Sequence, residues 1–184
     1  MFEAILLLAG TAALSLWGTG NMFLLLAFPL LFLCCLPGIR AMVSGNPPFV
    51  PTPRRIADSM FRLARVRRGE RIFDLGCGDG RLVIAAAKRG ARATGYEISL
   101  PTCAFAKLRS LRQPGARILF GDFWKQDYAQ VDVIFCFLLR RSMARFEREI
   151  WPHLKVGCRV VSHTFRMPNV AIAGVEGEAV LYRK

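Results

Sequence analysis

The sequence predicts an α/β domain built on a mostly parallel, doubly wound sheet with a terminal antiparallel strand, preceded by an N-terminal hydrophobic membrane anchor. Three observations carry that reading. From Arg71 onward, short apolar runs alternate with segments of helical period, the pattern of successive β-α units. One of those runs, Ile72–Leu75, leads into the glycine-rich turn Gly76-Cys77-Gly78-Asp79-Gly80 and then into a helix. Residues 4–39 contain no charged side chain, whereas residues 40–184 hold 26 Lys and Arg against 12 Asp and Glu, a net charge of +14. In a chain of 184 residues that is 53% hydrophobic, this combination excludes intrinsic disorder, a collagen-like or coiled-coil rod and a many-span membrane protein. The basic body is long enough to bury one core.

The 36 uncharged residues of the leader would extend about 54 Å as one helix, against about 30 Å of hydrocarbon. Two apolar runs, Ala4–Trp17 and Met22–Leu36, flank the turn residues Gly18-Thr19-Gly20-Asn21. They form either a helical hairpin with both ends on one face or an anchor whose second run crosses with a kink at Pro29. A cleaved signal peptide is disfavoured, because the start carries Glu3 and lacks a basic n-region. The arginines that follow, from Arg40 through Arg54, Arg55, Arg62 and Arg65, place the body on the cytoplasmic side by the positive-inside rule. They also suit anionic headgroups. The expected organisation is an anchor over 1–39, a linker over 40–52 containing Ser44–Pro48, and a folded domain over 53–184.

Within the body, Thr52 supplies an N-cap hydroxyl and Pro53 the first helical position, followed by Ile56, Met60, Leu63 and Ala64 at helical spacing. A helix over Pro53–Arg65 is expected. Strands follow at Arg71–Leu75, Ala93–Glu97, Arg117–Phe120, Val131–Leu138 and Cys158–Phe165, with helices over 81–89, 102–112 and Ser142–Leu154. Val170–Val175 and Glu178–Tyr182, around Glu176-Gly177, read as the closing hairpin. Cys77, Cys103, Cys136 and Cys158 stand singly in apolar surroundings with no Cys-x-x-Cys pair. No metal site is therefore expected, and the thiols read as small hydrophobes in a reducing compartment.

The chemistry concentrates at strand ends. Gly76, Gly78 and Gly80 let the backbone approach a ligand closely, as a nucleotide-binding first βα turn requires. Asp74, two residues before the first glycine, repels a pyrophosphate and attracts a cationic amino group, so the turn suits an amino-acid-bearing nucleoside. Glu97, 23 residues further on, falls where an acidic side chain takes ribose hydroxyls. Gly121-Asp122-Phe123 adds a carboxylate and an aromatic face for a purine. Phe135, Phe137, Leu138 and Leu139 offer an apolar strand end, or plain core, and His163 is the candidate proton acceptor at the next strand end.

Asp74-Leu75-Gly76-Cys77-Gly78-Asp79-Gly80, Glu97 and Gly121-Asp122 resemble the cofactor motifs of class I S-adenosylmethionine-dependent methyltransferases, which have a Rossmann-like sheet. Phe49-Val50-Pro51-Thr52-Pro53, Gly78–Ala87 and Arg159-Val160-Val161-Ser162-His163 resemble more closely a small membrane-anchored group with mitochondrial and bacterial members. The mitochondrial ones methylate lysines on adenine nucleotide translocase and on the c-type ring protein of ATP synthase. The chain departs from the group at Arg140, where a proline is expected, and over Thr164–Asn169, which lacks the usual tryptophan. The resemblance implies S-adenosyl-L-methionine as cofactor. It brings Pro51, Thr52, Cys77, Asp79 and Ile98 into the cofactor set beside Asp74, the three glycines, Glu97, Gly121, Asp122 and Phe123. His163, Phe137 and Leu138 are the expected catalytic neighbourhood on the reading of the strand ends alone.

Three function classes follow. Membrane-tethered protein-lysine methylation explains the anchor, and an integral membrane protein in the same bilayer is the expected substrate. RNA methylation is favoured by the charge, although no basic stripe interleaved with aromatics is present and the arginines near the leader have a membrane explanation. A lipid or small-molecule methyltransferase, or a non-enzymatic binding module, is the third class.

Overall fold

The computed structural model describes residues 51–184. The expected anchor over 1–39 and most of the 40–52 linker lie outside the described residues. No helix among the described residues is long and apolar enough to cross a membrane.

The elements are α1 (Arg54–Ala64), β1 (Arg71–Leu75), α2 (Arg81–Lys88), β2 (Arg92–Glu97), α3 (Leu100–Ser110), β3 (Ala116–Phe120), β4 (Val133–Cys136), α4 (Arg140–Glu149), β5 (Arg159–His163), β6 (Gly174–Glu176) and β7 (Ala179–Arg183). The seven strands form one sheet in the order β3-β2-β1-β4-β5-β7-β6. The first five pair in parallel, and β7 joins antiparallel to both β5 and β6. The order reverses between β1 and β4, which is where open α/β sheets hold ligands, beyond the carboxyl ends of the strands.

Both faces of the sheet are covered, and the central strand β4 is apolar and buried throughout. In β4, Val133 and Phe135 join a core with Met60 and Phe61 of α1, Val83 and Ala86 of α2, and Ala106 of α3. Ile134 and Cys136 point the other way, toward Met143, Phe146 and Ile150 in and just after α4. That alternation is the two-residue period of a strand. The four thiols of the described residues are buried and free.

Several boundaries differ from the sequence reading. Pro53, not Thr52, occupies the N-cap of α1, and no side chain caps the helix. Thr52 is buried and its carbonyl is held by Arg81 at 2.8 Å. β4 stops at Cys136, where its pairing with β1 and β5 ends, so Phe137–Leu139 form a loop rather than strand. α4 begins at Arg140 and ends at Glu149, and a 3-10 turn over Trp151–His153 with Pro152 inside it replaces the expected last turn. Proline lacks the N–H that would continue the α-helical ladder. The first arm of the hairpin is Gly174–Glu176, shorter than expected.

Candidate functional site

The β1-α2 turn is pinned across β2. The backbone N–H groups of Gly76 and Cys77 both donate to the Tyr96 carbonyl, at 3.0 and 2.9 Å. The Cys77 side chain turns inward onto Gly95, where a Cβ would lie 2.6 Å from Cys77 Cβ and 2.7 Å from Val83. Only glycine allows β2 to approach the turn that closely. Gly80 caps α2 in the left-handed region at φ 76°. Gly76 also has a positive φ of 75°, yet a Cβ there would meet nothing within 4 Å, so this part of the turn opens onto free space.

Four acidic residues surround that opening, in three different situations. Asp74 is buried, with no donor among the described residues paired to its carboxylate, and its pKa is pushed up to about 8 by burial first and then by the charges of Glu97 and Asp79. Glu97 is also buried, and it accepts from Gly78 N–H at 3.0 Å and Ser99 N–H at 2.8 Å. Asp122, following β3, accepts from Trp124 N–H at 3.0 Å, which starts a 3-10 turn and sets Phe123 beside Trp124 with ring centroids 4.7 Å apart.

Asp79 does something else. Its carboxylate takes two hydrogen bonds from Arg81 Nε, at 2.9 and 3.2 Å, and one from Arg81 Nη2 at 2.9 Å, and it is paired with Arg109 of α3. Burial raises its pKa, but the two arginines outweigh this and hold it below the usual carboxylate range. Because Arg81 also holds Thr52, the segment entering α1 is tied to the glycine turn and, through Asp79, to α3. Sequence reasoning put Asp79 in the cofactor set, and its side chain is paired here with Arg81 and Arg109. The Cys77 side chain is core, and its backbone N–H is taken by the Tyr96 carbonyl. Arg109 was missed; it lies 30 residues from Asp79 and no local spacing marks the pair.

At the carboxyl ends of β4 and β5, the Phe137 ring lies 4.2 Å from the His163 ring and 6.2 Å from that of Phe165. Leu138 is buried in the α4-side core. His163 is buried, its Nδ1 has no partner among the described residues, and its Nε2 lies 3.3 Å from Glu178 Oε2. Burial lowers the imidazole pKa, and Glu178 only partly restores it. Glu178 also accepts from Thr164 Oγ1 at 2.9 Å and, through its carbonyl, from Thr164 N–H at 2.8 Å. Thr164 stands at φ 65°, an uncommon conformation for a β-branched residue. Glu178 was not among the expected site residues; the β5-β7 register, His163 opposite Ala179, is what brings it there.

A concavity of about 410 Å³ lies elsewhere, between α1 and the β6-β7 hairpin, lined by Arg62, Arg65, Glu176 and Arg183 among others. It holds none of the strand-end carboxylates, so we place the chemistry at the β1-β4 switch point instead.

A turn open to solvent over a carboxylate unpaired among the described residues, a second carboxylate one strand over, and an aromatic residue after β3 fit a ligand with an ammonium group, a ribose and a purine. Those are the parts of S-adenosylmethionine, and the fold and site together define a class I S-adenosylmethionine-dependent methyltransferase. Residues 74–173 match the model of the ANTKMT methyltransferase domain, and the chain belongs to that family. The mouse adenine nucleotide translocase lysine N-methyltransferase is 33% identical over 77% of this chain and 64% of its own length, so the chain spans under two thirds of that relative. A protein-lysine N-methyltransferase of Saccharolobus islandicus is 36% identical over 65% of this chain and 78% of its own. Among solved structures, an RNA methyltransferase from Salinibacter ruber in complex with S-adenosyl-L-homocysteine is 33% identical, with a TM-score of 0.65 over 73% of this chain and 92% of that one.

Proposed function

We propose that the chain methylates the ε-amine of a lysine on an integral membrane protein, using S-adenosylmethionine, from a hydrophobic anchor at 1–39 that keeps the domain on the cytoplasmic face. The observation that carries the cofactor assignment is Asp74, a buried carboxylate with no donor among the described residues, beneath an open turn. It would take the cofactor's ammonium group, Glu97 the ribose hydroxyls, and Ile98 and Phe123 the two sides of the purine. The names of the mouse and Saccharolobus relatives favour lysine as acceptor, and the 36 uncharged residues of the leader favour a substrate in the same bilayer.

When bound, the cofactor supplies a methyl group already activated by its sulfonium. The chain's own work is orientation and desolvation. A lysine with a pKa of about 10.4 is neutral in only about one molecule in 2,500 at pH 7. Phe137, Phe165 and the half-exposed Leu139 form an apolar strand end that lowers that pKa by disfavouring the ammonium. His163, kept neutral by burial and held at Nε2 by Glu178, would accept the proton that lysine must lose.

RNA is the second reading, favoured by the name of the Salinibacter neighbour and by the net +14 of residues 40–184. Supplying labelled cofactor to isolated membranes, total RNA and lipid extract separates the classes. Label in a membrane-protein band, retained after a carbonate wash that leaves the enzyme in the pellet, is expected. Label in RNA or lipid alone contradicts the lysine reading. Removing residues 1–39 should depress activity on bilayer-embedded substrate far more than cofactor binding, because tethering raises effective concentration.

A further inference from the structure

Helix α3 is apolar on both sides. Its inner face buries Cys103 and Ala106 against the sheet. On its outer side Leu100, Phe105, Leu108 and Leu111 are 64%, 54%, 68% and 74% exposed, and Phe105, Leu108 and Leu111 follow one another at three-residue steps along one stripe. A single exposed leucine is ordinary, but a contiguous row on one helix marks a contact surface.

The charge around the row is one-sided. From Ile98 to Gly121 there is no Asp or Glu, and the stretch carries Lys107, Arg109, Arg112 and Arg117. Arg109 is committed to Asp79. Lys107 and Arg112 are not buried, and no salt bridge among the described residues engages them; Arg117 of β3 points to the opposite sheet face from Ile118, which packs with α3.

We infer that the outer face of α3 lies on an anionic bilayer surface, with Leu100, Phe105, Leu108 and Leu111 at the acyl boundary and Lys107 and Arg112 among the headgroups. An apolar row rimmed by cations and free of carboxylates is the composition of an interfacial helix. Three of the four outward side chains are leucines, which give nucleobases no face to stack on, so RNA is the poorer match. A second copy would set two cationic rims against each other. An uncharged segment of the chain's own leader would leave the cations without partners. The surface goes beyond the proposed reaction, and its test reads lipid contact rather than methyl transfer, so either can fail alone.

The test uses the full-length chain in vesicles. Leu108→Cys is made with Cys34→Ser and Cys35→Ser, the other four thiols being buried, and an environment-sensitive fluorophore is attached. Arg148→Cys, exposed on α4, serves as the control, and unchanged cofactor binding confirms that each variant is folded. In phosphatidylcholine vesicles containing phosphatidylglycerol, emission from position 108 should shift to the blue and be quenched by a nitroxide carried on lipid chains, while position 148 shows neither. Quenching should weaken in phosphatidylcholine alone, in high salt, and in a Lys107→Glu, Arg112→Glu background. A blue shift without quenching by the lipid nitroxide would mean that protein covers the row. A response to RNA without vesicles would assign it to nucleic acid. Either result, or no shift at all, overturns the inference.

Discussion

Gly78 N–H donates to Glu97 Oε2 at 3.0 Å, while Glu97 Oε1 accepts from Ser99 N–H at 2.8 Å. The carboxylate that ends β2 therefore holds the glycine turn on one side and the approach to α3 on the other. A group fixed in this way before a ligand arrives loses little freedom on binding.

Glu97→Ala removes both this brace and the acceptor for ribose. Calorimetry should show at least a tenfold loss of affinity for S-adenosylmethionine, about 1.4 kcal/mol. Binding at native strength would remove Glu97 from the ribose site.

Asp74 links binding to protons. With its pKa raised to about 8, its carboxyl is mostly protonated at pH 7 in the free protein, and a cationic ligand requires it ionised. Binding at pH 7 should therefore release close to one proton, seen as a dependence of the calorimetric enthalpy on buffer ionisation. The sign for stability is opposite to that of a salt-bridged Asp. The native state holds this proton between the unfolded value near 3.8 and about 8, so stability from this group is greatest at low pH and falls as pH rises through that window. Saturating cofactor should flatten the slope, and Asp74→Asn should abolish it.

Gly95→Ala places a methyl group 2.6 Å from Cys77 Cβ. Overpacking of this kind costs about 1–3 kcal/mol, read from denaturant unfolding. Because Cys77 lies within the turn, weaker cofactor binding should accompany the loss.

His163→Gln should lower kcat for methyl transfer by about 100-fold, the lower end of what a positioned base contributes, with cofactor affinity unchanged. Glu178→Gln should shift the pH profile of kcat rather than abolish activity, since Glu178 acts through the imidazole.

The cofactor half of the site was legible because its signals are local. Asp74, the three glycines and Glu97 lie at the ends of two strands with clear apolar runs, and the chain order of such strands places them on one edge. What depended on distant partners was not. Thr52 reads as a helix cap, yet Pro53 takes that place and Arg81 holds the Thr52 carbonyl, and the place of Asp79 in the glycine turn does not announce its pairing with Arg109. Phe137 and Leu138 continue an apolar run past the point where strand pairing stops, so periodicity alone overran the end of β4. The outward leucines of α3 were absorbed into an ordinary helix pattern, since a sequence does not tell which apolar stripe faces the sheet.

The most direct measurement is mass spectrometry of lysine methylation in membrane proteins from cells with this gene and from cells without it. The account predicts a methylated lysine on a small integral membrane protein that is present with the gene, lost without it, and restored by the native chain but not by Asp74→Asn. Identical lysine methylation in both cells, with gene-dependent methyl groups found in RNA instead, would contradict it.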